Sequence, residues 1–139
     1  MTGILVITHA QLGQSLIDTL EFIMDMKYEN LAAVSIDIKE NPDTLLKKIK
    51  NAIKKVRHGQ GVIIFTDMFG GTPSNLSYSF LEEDKVEVMS GVNLPILMKA
   101  MEIREKAPLK ETVQNLVEYG KRSISQASAI LKGEENRQQ

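Results

Sequence analysis

Two apolar runs in this chain stop at residues that can do chemistry. Ile4-Leu5-Val6-Ile7 ends in Thr8-His9. Val62-Ile63-Ile64-Phe65 ends in Thr66-Asp67, followed by Met68-Phe69-Gly70-Gly71-Thr72-Pro73. A neutral imidazole has one donor and one acceptor nitrogen, and a carboxylate bonded to the N–H fixes which is which. A His9–Asp67 pair would leave the other ring nitrogen free as a nucleophile. The carboxylate would also offset the positive charge that grows on the ring as that nitrogen bonds to an electrophile. The Gly70-Gly71 turn, with Thr72 expected as a helix cap and Pro73 as the first helical residue, offers backbone N–H groups to an anion. A phosphoryl group carried on His9 fits both halves of this arrangement. The chain has no G-x-x-x-x-G-K-[ST] stretch to cradle a nucleotide, so the expected donor is another protein rather than ATP.

The surrounding elements have to bring the two strand ends together. Ile4 to Thr8 and Val62 to Thr66 read as strands covered on both faces, because they are short, continuous and rich in β-branched residues. Leu31 to Ile38 and "VEVMSG" read as two more. Between them, residues 11 to 25 carry an apolar stripe of Leu12, Leu16, Ile17, Leu20, Ile23 and Met24 at helical spacing. A second helix opens at Asn41-Pro42-Asp43 and closes at a basic end, with His58 in its last turn and Gly59 as its left-handed cap. Further helices are expected over about 74 to 82, from Pro95, and from Glu111 to a stop at Gly120. The order βαβαβαβα predicts a three-layer α/β/α sandwich with a mainly parallel sheet of four strands. All strand C-termini then share one rim, and His9 meets Asp67 if the first and third strands are neighbours. "RSISQASAILKG" reads either as a helix extension or as a short edge strand. A single domain is expected over 1–132, with a polar, frayed tail over 133–139.

Composition removes whole classes of function. The chain has 139 residues, with 17 basic and 18 acidic side chains, so a near-zero net charge gives no support for nucleic acid as a partner. No cysteine is present, which removes disulfides, thiolate metal sites and cysteine nucleophiles. No apolar run is long enough to cross a bilayer, and no secretory signal is evident, so a cytoplasmic protein is expected. One histidine and one carboxylate are too few ligands for a metal, and no cofactor is implied. His58 and the lysines at 47, 48, 50, 54 and 55 read as a helix end and a solvated face. Met24, Met26, Met89, Met98 and Met101 read as core filling. Met68 and Phe69 sit in the site loop, where they would shield a labile phosphoramidate or dock a partner. A receiver-type domain phosphorylated on Asp67 is a rival, but it needs an acidic pair after the first strand, where Thr8-His9 stands. A small-ligand binder using the glycine turn is another.

"ILVITHAQLGQSL", "GVIIFTDMFGGTPSN" and "VMSGVNLPIL" resemble, in that order and spacing, the enzyme IIA domain of the mannose-family sugar phosphotransferase system. The resemblance implies that His9 takes phosphate from the carrier protein HPr and passes it to a histidine of a separate enzyme IIB, with the membrane components IIC and IID reached only indirectly. It implies that Asp67 hydrogen-bonds the active histidine, and that Ala10, Gly70, Gly71 and Thr72 surround the phosphate. Thr8, Thr66, Met68, Phe69 and Asn93 form the supporting rim. The resemblance also implies a homodimer, since members of the family are typically homodimers in which a C-terminal strand pairs with the partner's sheet, a role "RSISQASAIL" would fill. Two departures, Ala10 for the usual glycine and Met68-Phe69 where tryptophan is common, bear on loop shape and partner choice rather than on phosphohistidine chemistry. A regulatory module of the same fold, phosphorylated but not coupled to transport, is the alternative reading.

Overall fold

Apolar residues on both faces of four short strands demand a covering layer on each side, and the helices supply it. The computed structural model describes residues 1–133. The strands are β1 (Gly3–His9), β2 (Leu31–Ile36), β3 (Val62–Thr66) and β4 (Val86–Ser90), all parallel, in the order β2-β1-β3-β4. They alternate with helices α1 (Leu12–Met24), α2 (Pro42–Val56), α3 (Thr72–Ser77), α4 (Leu94–Ile103), α5 (Leu109–Arg122) and α6 (Ala127–Leu131). A single 3₁₀ turn, Tyr78–Phe80, follows α3.

The side chains of β1 and β3 alternate between two cores. Ile4, Val6, Ile63 and Phe65 pack with α1, α4 and α5 on one face. Leu5, Ile7, Val62 and Ile64 pack with α2 on the other, where Leu76 and Phe80 join them. The strand order matters for the site. From β1 the chain winds outward to β2 through α1, and from β3 it winds the opposite way to β4 through α3. The C-terminal ends of β1 and β3 therefore lie side by side with their helices leaving on opposite faces, the switch point at which open α/β sheets hold ligands.

Several boundaries differ from the sequence reading, each for a physical reason. β2 ends at Ile36 because Asp37 closes a turn by accepting from the N–H of Lys39 (3.0 Å), and Ile38 is exposed. Asn41 caps α2 as expected, accepting from Asp43 N–H at 2.7 Å. The far end of α2 does not use Gly59: the helix stops at Val56, Arg57 is extended, and Gly61 is the residue with positive φ. His58 thus lies beyond the helix, bridged to Gly61. The third helix begins at Thr72, two residues before the expected start, and tightens into the 3₁₀ turn instead of running to Glu82. α5 runs through Gly120 to Arg122. That glycine is a contact point rather than a stop, since a Cβ there would lie 2.7 Å from Ile96 Cδ1.

The apolar stripe of α1 is buried only at Ile17 and Leu20, with Leu16 packed against the core. Leu12, Ile23, Met24 and the following Met26 are about half exposed, because α1 lies over β1 and the edge strand β2 and its outer flank meets no neighbour among the described residues. Met89, Met98 and Met101 do pack in or against the core. In "RSISQASAIL", residues 123–126 form no strand in the described chain and Ala127–Leu131 form α6. The polar tail expected at 133–139 lies, apart from Gly133, outside the described residues.

Arg104, at the end of α4, is buried without a carboxylate within salt-bridge distance among the described residues. Its guanidinium donates to the carbonyls of Glu29 (2.8 Å) and Asn30 (3.1 Å), pinning the α1–β2 turn. Arg104→Ala should remove both bonds, leaving the Asn30 carbonyl with only the Ile4 N–H (2.9 Å) and the Glu29 carbonyl without the guanidinium, and lower unfolding stability by about 2 kcal/mol, read as a fall in the urea midpoint. An unchanged midpoint would remove this anchor from the description of the fold.

Candidate functional site

β1 delivers His9 to the rim and β3 delivers Asp67 one residue past its own end. The two are hydrogen-bonded twice through one oxygen. Asp67 Oδ2 accepts from the His9 backbone N–H at 2.9 Å and lies 2.7 Å from His9 Nδ1. The other carboxylate oxygen, Oδ1, accepts from the Met68 N–H at 3.0 Å. With the ionised carboxylate on Nδ1, that nitrogen carries the proton and Nε2 is the free, nucleophilic nitrogen. The His9 side chain is 40% exposed while that of Asp67 is 11% exposed, so the ring faces outward and its partner is tucked beneath it.

Burial on its own pushes the Asp67 carboxyl pKa up. The His9 backbone N–H, the His9 ring and the Met68 N–H outweigh it, and the net effect holds Asp67 below the usual carboxylate range. The carboxylate is therefore charged at neutral pH.

The glycine turn sits against the ring. A Cβ on Gly71 would lie 2.9 Å from His9 Cε1 and 3.5 Å from Nε2, so no side chain fits at 71. Gly70 needs its glycine for another reason, a φ of +86°. Gly71 itself is the N-cap of α3, and Thr72 is the first helical residue rather than the cap. The first N–H groups of any helix lack intrahelical acceptors, so those opening α3 are donors left over at the rim.

Other expected residues have well-defined duties. The buried Thr8 hydroxyl accepts from Gly13 N–H (2.8 Å) and donates to the His9 carbonyl (3.0 Å), capping α1 in place of Gln11, whose side chain does not. Thr66 is buried in a hydroxyl cluster with Ser74 and Ser90. Ala10 has a φ of +48°, and its N–H is directed to the Ile36 carbonyl at 3.3 Å. Asn93 caps α4 by accepting from Ile96 N–H (2.8 Å) and donates to Ser123 Oγ (3.1 Å). Met68 and Phe69 are exposed, with the Phe69 ring 6.3 Å from that of Tyr78. His58 lies at the opposite, N-terminal end of β3 and takes no part. Among the described residues there is no cluster of three or more His, Cys, Asp or Glu able to hold a metal, and no helix long and apolar enough to cross a membrane. Sequence reasoning passed over Ser74, which is fully buried behind Asp67; a serine one turn into a helix carries no local signal of this.

The lowered Asp67 pKa has a thermodynamic consequence with a definite sign. The unfolded carboxyl titrates near about 3.9 and the folded one lower, so the folded state gains stability above the unfolded value and loses it as pH falls through the folded value. The melting temperature of Asp67→Asn should thus fall less than that of the wild type between about pH 5 and pH 2. Parallel curves for the two proteins would show that Asp67 is not the group responsible.

Comparison with known proteins bears directly on this site. Residues 3–117 match the EIIA-man family, described as PTS system fructose IIA component. The PTS system fructose-specific EIIA component of Bacillus subtilis is 37% identical over 103 residues, covering 73% of this chain and 70% of that protein. The PTS system mannose-specific EIIAB component of Escherichia coli is 29% identical over 129 residues, which cover 91% of this chain but 40% of that longer protein. The phosphotransferase system component EIIA from Streptococcus agalactiae has the same fold, with a TM-score of 0.82 at 21% identity over 93% of this chain and 99% of that one. With a rim histidine oriented by a carboxylate, a fold shared with solved EIIA proteins and a family match over most of its length, the chain belongs to the mannose-type enzyme IIA family of the sugar phosphotransferase system.

Proposed function

We propose that this protein is a phosphocarrier for sugar uptake. His9 accepts a phosphoryl group from phosphorylated HPr and passes it to a histidine of an enzyme IIB. The observation that carries this reading is the pairing of His9 Nδ1 with Asp67 Oδ2 at 2.7 Å, which leaves Nε2 unblocked on an exposed ring. In the forward step the Nε2 lone pair attacks phosphorus in line with the donor's N–P bond. That bond breaks and its electron pair returns to the donor imidazole. His9 then carries phosphoryl on Nε2 and a proton on Nδ1, so the ring is positive, and the Asp67 carboxylate offsets that charge. Transfer to enzyme IIB is the same exchange in reverse.

One phosphoramidate replaces another, so little driving force is lost and the protein's task is alignment and charge stabilisation of a loose transition state. The equatorial oxygens would be received at the Gly70-Gly71 turn and the N–H groups opening α3, with the Thr72 hydroxyl beside them. Ala10 supports the ring's position rather than the phosphate, since its N–H is already engaged. Met68 and Phe69, apolar and exposed next to the turn, would close over the reacting atoms when a partner docks and keep water from the labile bond.

Incubation of the purified protein with phosphorylated HPr should yield acid-labile, base-stable phosphate on one histidine. His9→Ala should abolish the label, and Asp67→Asn should slow its appearance about tenfold or more by freeing the tautomer. A fully labelled His9→Ala protein rules out the assignment. Phe69→Ala should raise KM for phosphorylated HPr about tenfold while leaving kcat within a factor of about three, the pattern of a lost docking contact. A fall in kcat alone would put Phe69 on the reacting atoms instead.

A further inference from the structure

Asp67 can orient His9 only if Asp67 is itself held, and the turn that follows it is poorly anchored by its own residues. Met68 and Phe69 are exposed, Gly70 has a positive φ, and no atom lies within 4 Å of the position a Gly70 Cβ would take. One fully buried side chain reaches both residues that flank Asp67. The Ser74 hydroxyl donates to the Met68 carbonyl at 2.5 Å, on one side, and sits 2.6 Å from Thr66 Oγ1, on the other. A serine hydroxyl has one proton, and here it is committed to Met68, so Ser74 accepts from Thr66, whose single proton is shared between Ser74 and the longer contact to Ser90. Ser90 Oγ lies 3.3 Å from Thr66 Oγ1, backing the cluster from the end of β4. Another side-chain tie on the turn, Asn75 Nδ2 to the Gly70 carbonyl, is long at 3.4 Å and exposed.

We propose that Ser74 is a positioning residue for the phosphoryl transfer: by bonding Thr66 and Met68 together it fixes the backbone of Asp67 between them, and through Asp67 it fixes the tautomer and aim of His9. The proposal rests on the reading of His9 as the phosphoryl acceptor for its kinetic part alone. Loss of the hydroxyl leaves the part-buried Met68 carbonyl and the buried Thr66 hydroxyl without that partner, and the least costly relaxation is for the turn to shift. The carboxylate moves with it, because Asp67 begins the turn and its Oδ1 is bonded to Met68 N–H. The ring then loses the acceptor that kept its proton on Nδ1.

The test uses the full chain labelled with ¹⁵N-histidine, as wild type, Ser74→Ala and the near-isosteric Thr66→Val. His58, at the other end of the sheet, serves as an internal reference for an intact fold. The wild-type His9 should show the tautomer protonated on Nδ1. In Ser74→Ala its ring nitrogens should move toward a mixture of tautomers while His58 is unchanged, and Thr66→Val should move them less in the same direction. Labelling by phosphorylated HPr should slow about tenfold in Ser74→Ala, with KM for the donor held. His9 resonances identical to wild type in whichever variant keeps the His58 signals native would overturn the proposal. If the wild-type protein takes no phosphate from HPr, the functional reading fails, and the nitrogen spectra still decide the role of Ser74.

Discussion

A single carboxylate oxygen holds the site together. Asp67 Oδ2 takes hydrogen bonds from both the main chain and the ring of His9, so one atom from β3 fixes where the residue at the end of β1 sits and which way its ring points. Neither bond forms unless the two strands are neighbours, and they are neighbours because the chain reverses its winding between them. The switch point, the double hydrogen bond and the exposed Nε2 are thus steps of one dependency. Removing charge at Asp67 weakens both bonds to His9 at once and leaves the strand order intact.

The rim around this contact departs from relaxed backbone in places, and each departure is held from outside. Ala10 has a left-handed φ, which costs an L-residue about 1–2 kcal/mol, and it is kept there by its own N–H bond to the Ile36 carbonyl and by the preceding His9 N–H bond to Asp67. Gly71 is ordinary in φ but is pressed against the His9 ring, so what matters is the absence of its side chain. Gly70 turns the chain where a Cβ would be strained. Thr8 and Ser74 play matching parts at the two strand ends: each hydroxyl is buried and bonds back to the main chain beside a residue of the pair. The histidine and its carboxylate are each braced by a hydroxyl from one element away or less.

Much of this was legible in the sequence, and the remainder was hidden for identifiable reasons. Unbroken, β-branched-rich runs located β1 and β3, and the chemistry-bearing residues stood at or directly after their ends. Asn41-Pro42-Asp43 marked the start of α2 because capping is local. What was hidden depends on distant contacts. Gly120 reads as a helix stop until Ile96 is seen filling the space above it. The stripe of α1 reads as wholly buried, because periodicity gives the direction of a face and not the extent of the layer covering it. Ser74 reads as neutral, since its value comes from Thr66 and Met68, eight and six residues away. Gly59 reads as the left-handed cap of α2, but the helix stops at Val56 and the positive φ falls at Gly61.

The half-open setting of His9 also bears on time. Under the proposed function, a phosphoramidate on a ring 40% exposed to solvent would be reachable by water as well as by a protein acceptor. Such a site favours prompt hand-off over storage: the group persists only as long as encounters with partners outpace hydrolysis. The level of phosphorylated protein in a cell would then follow the balance of donor and acceptor traffic from moment to moment, with little memory of earlier supply.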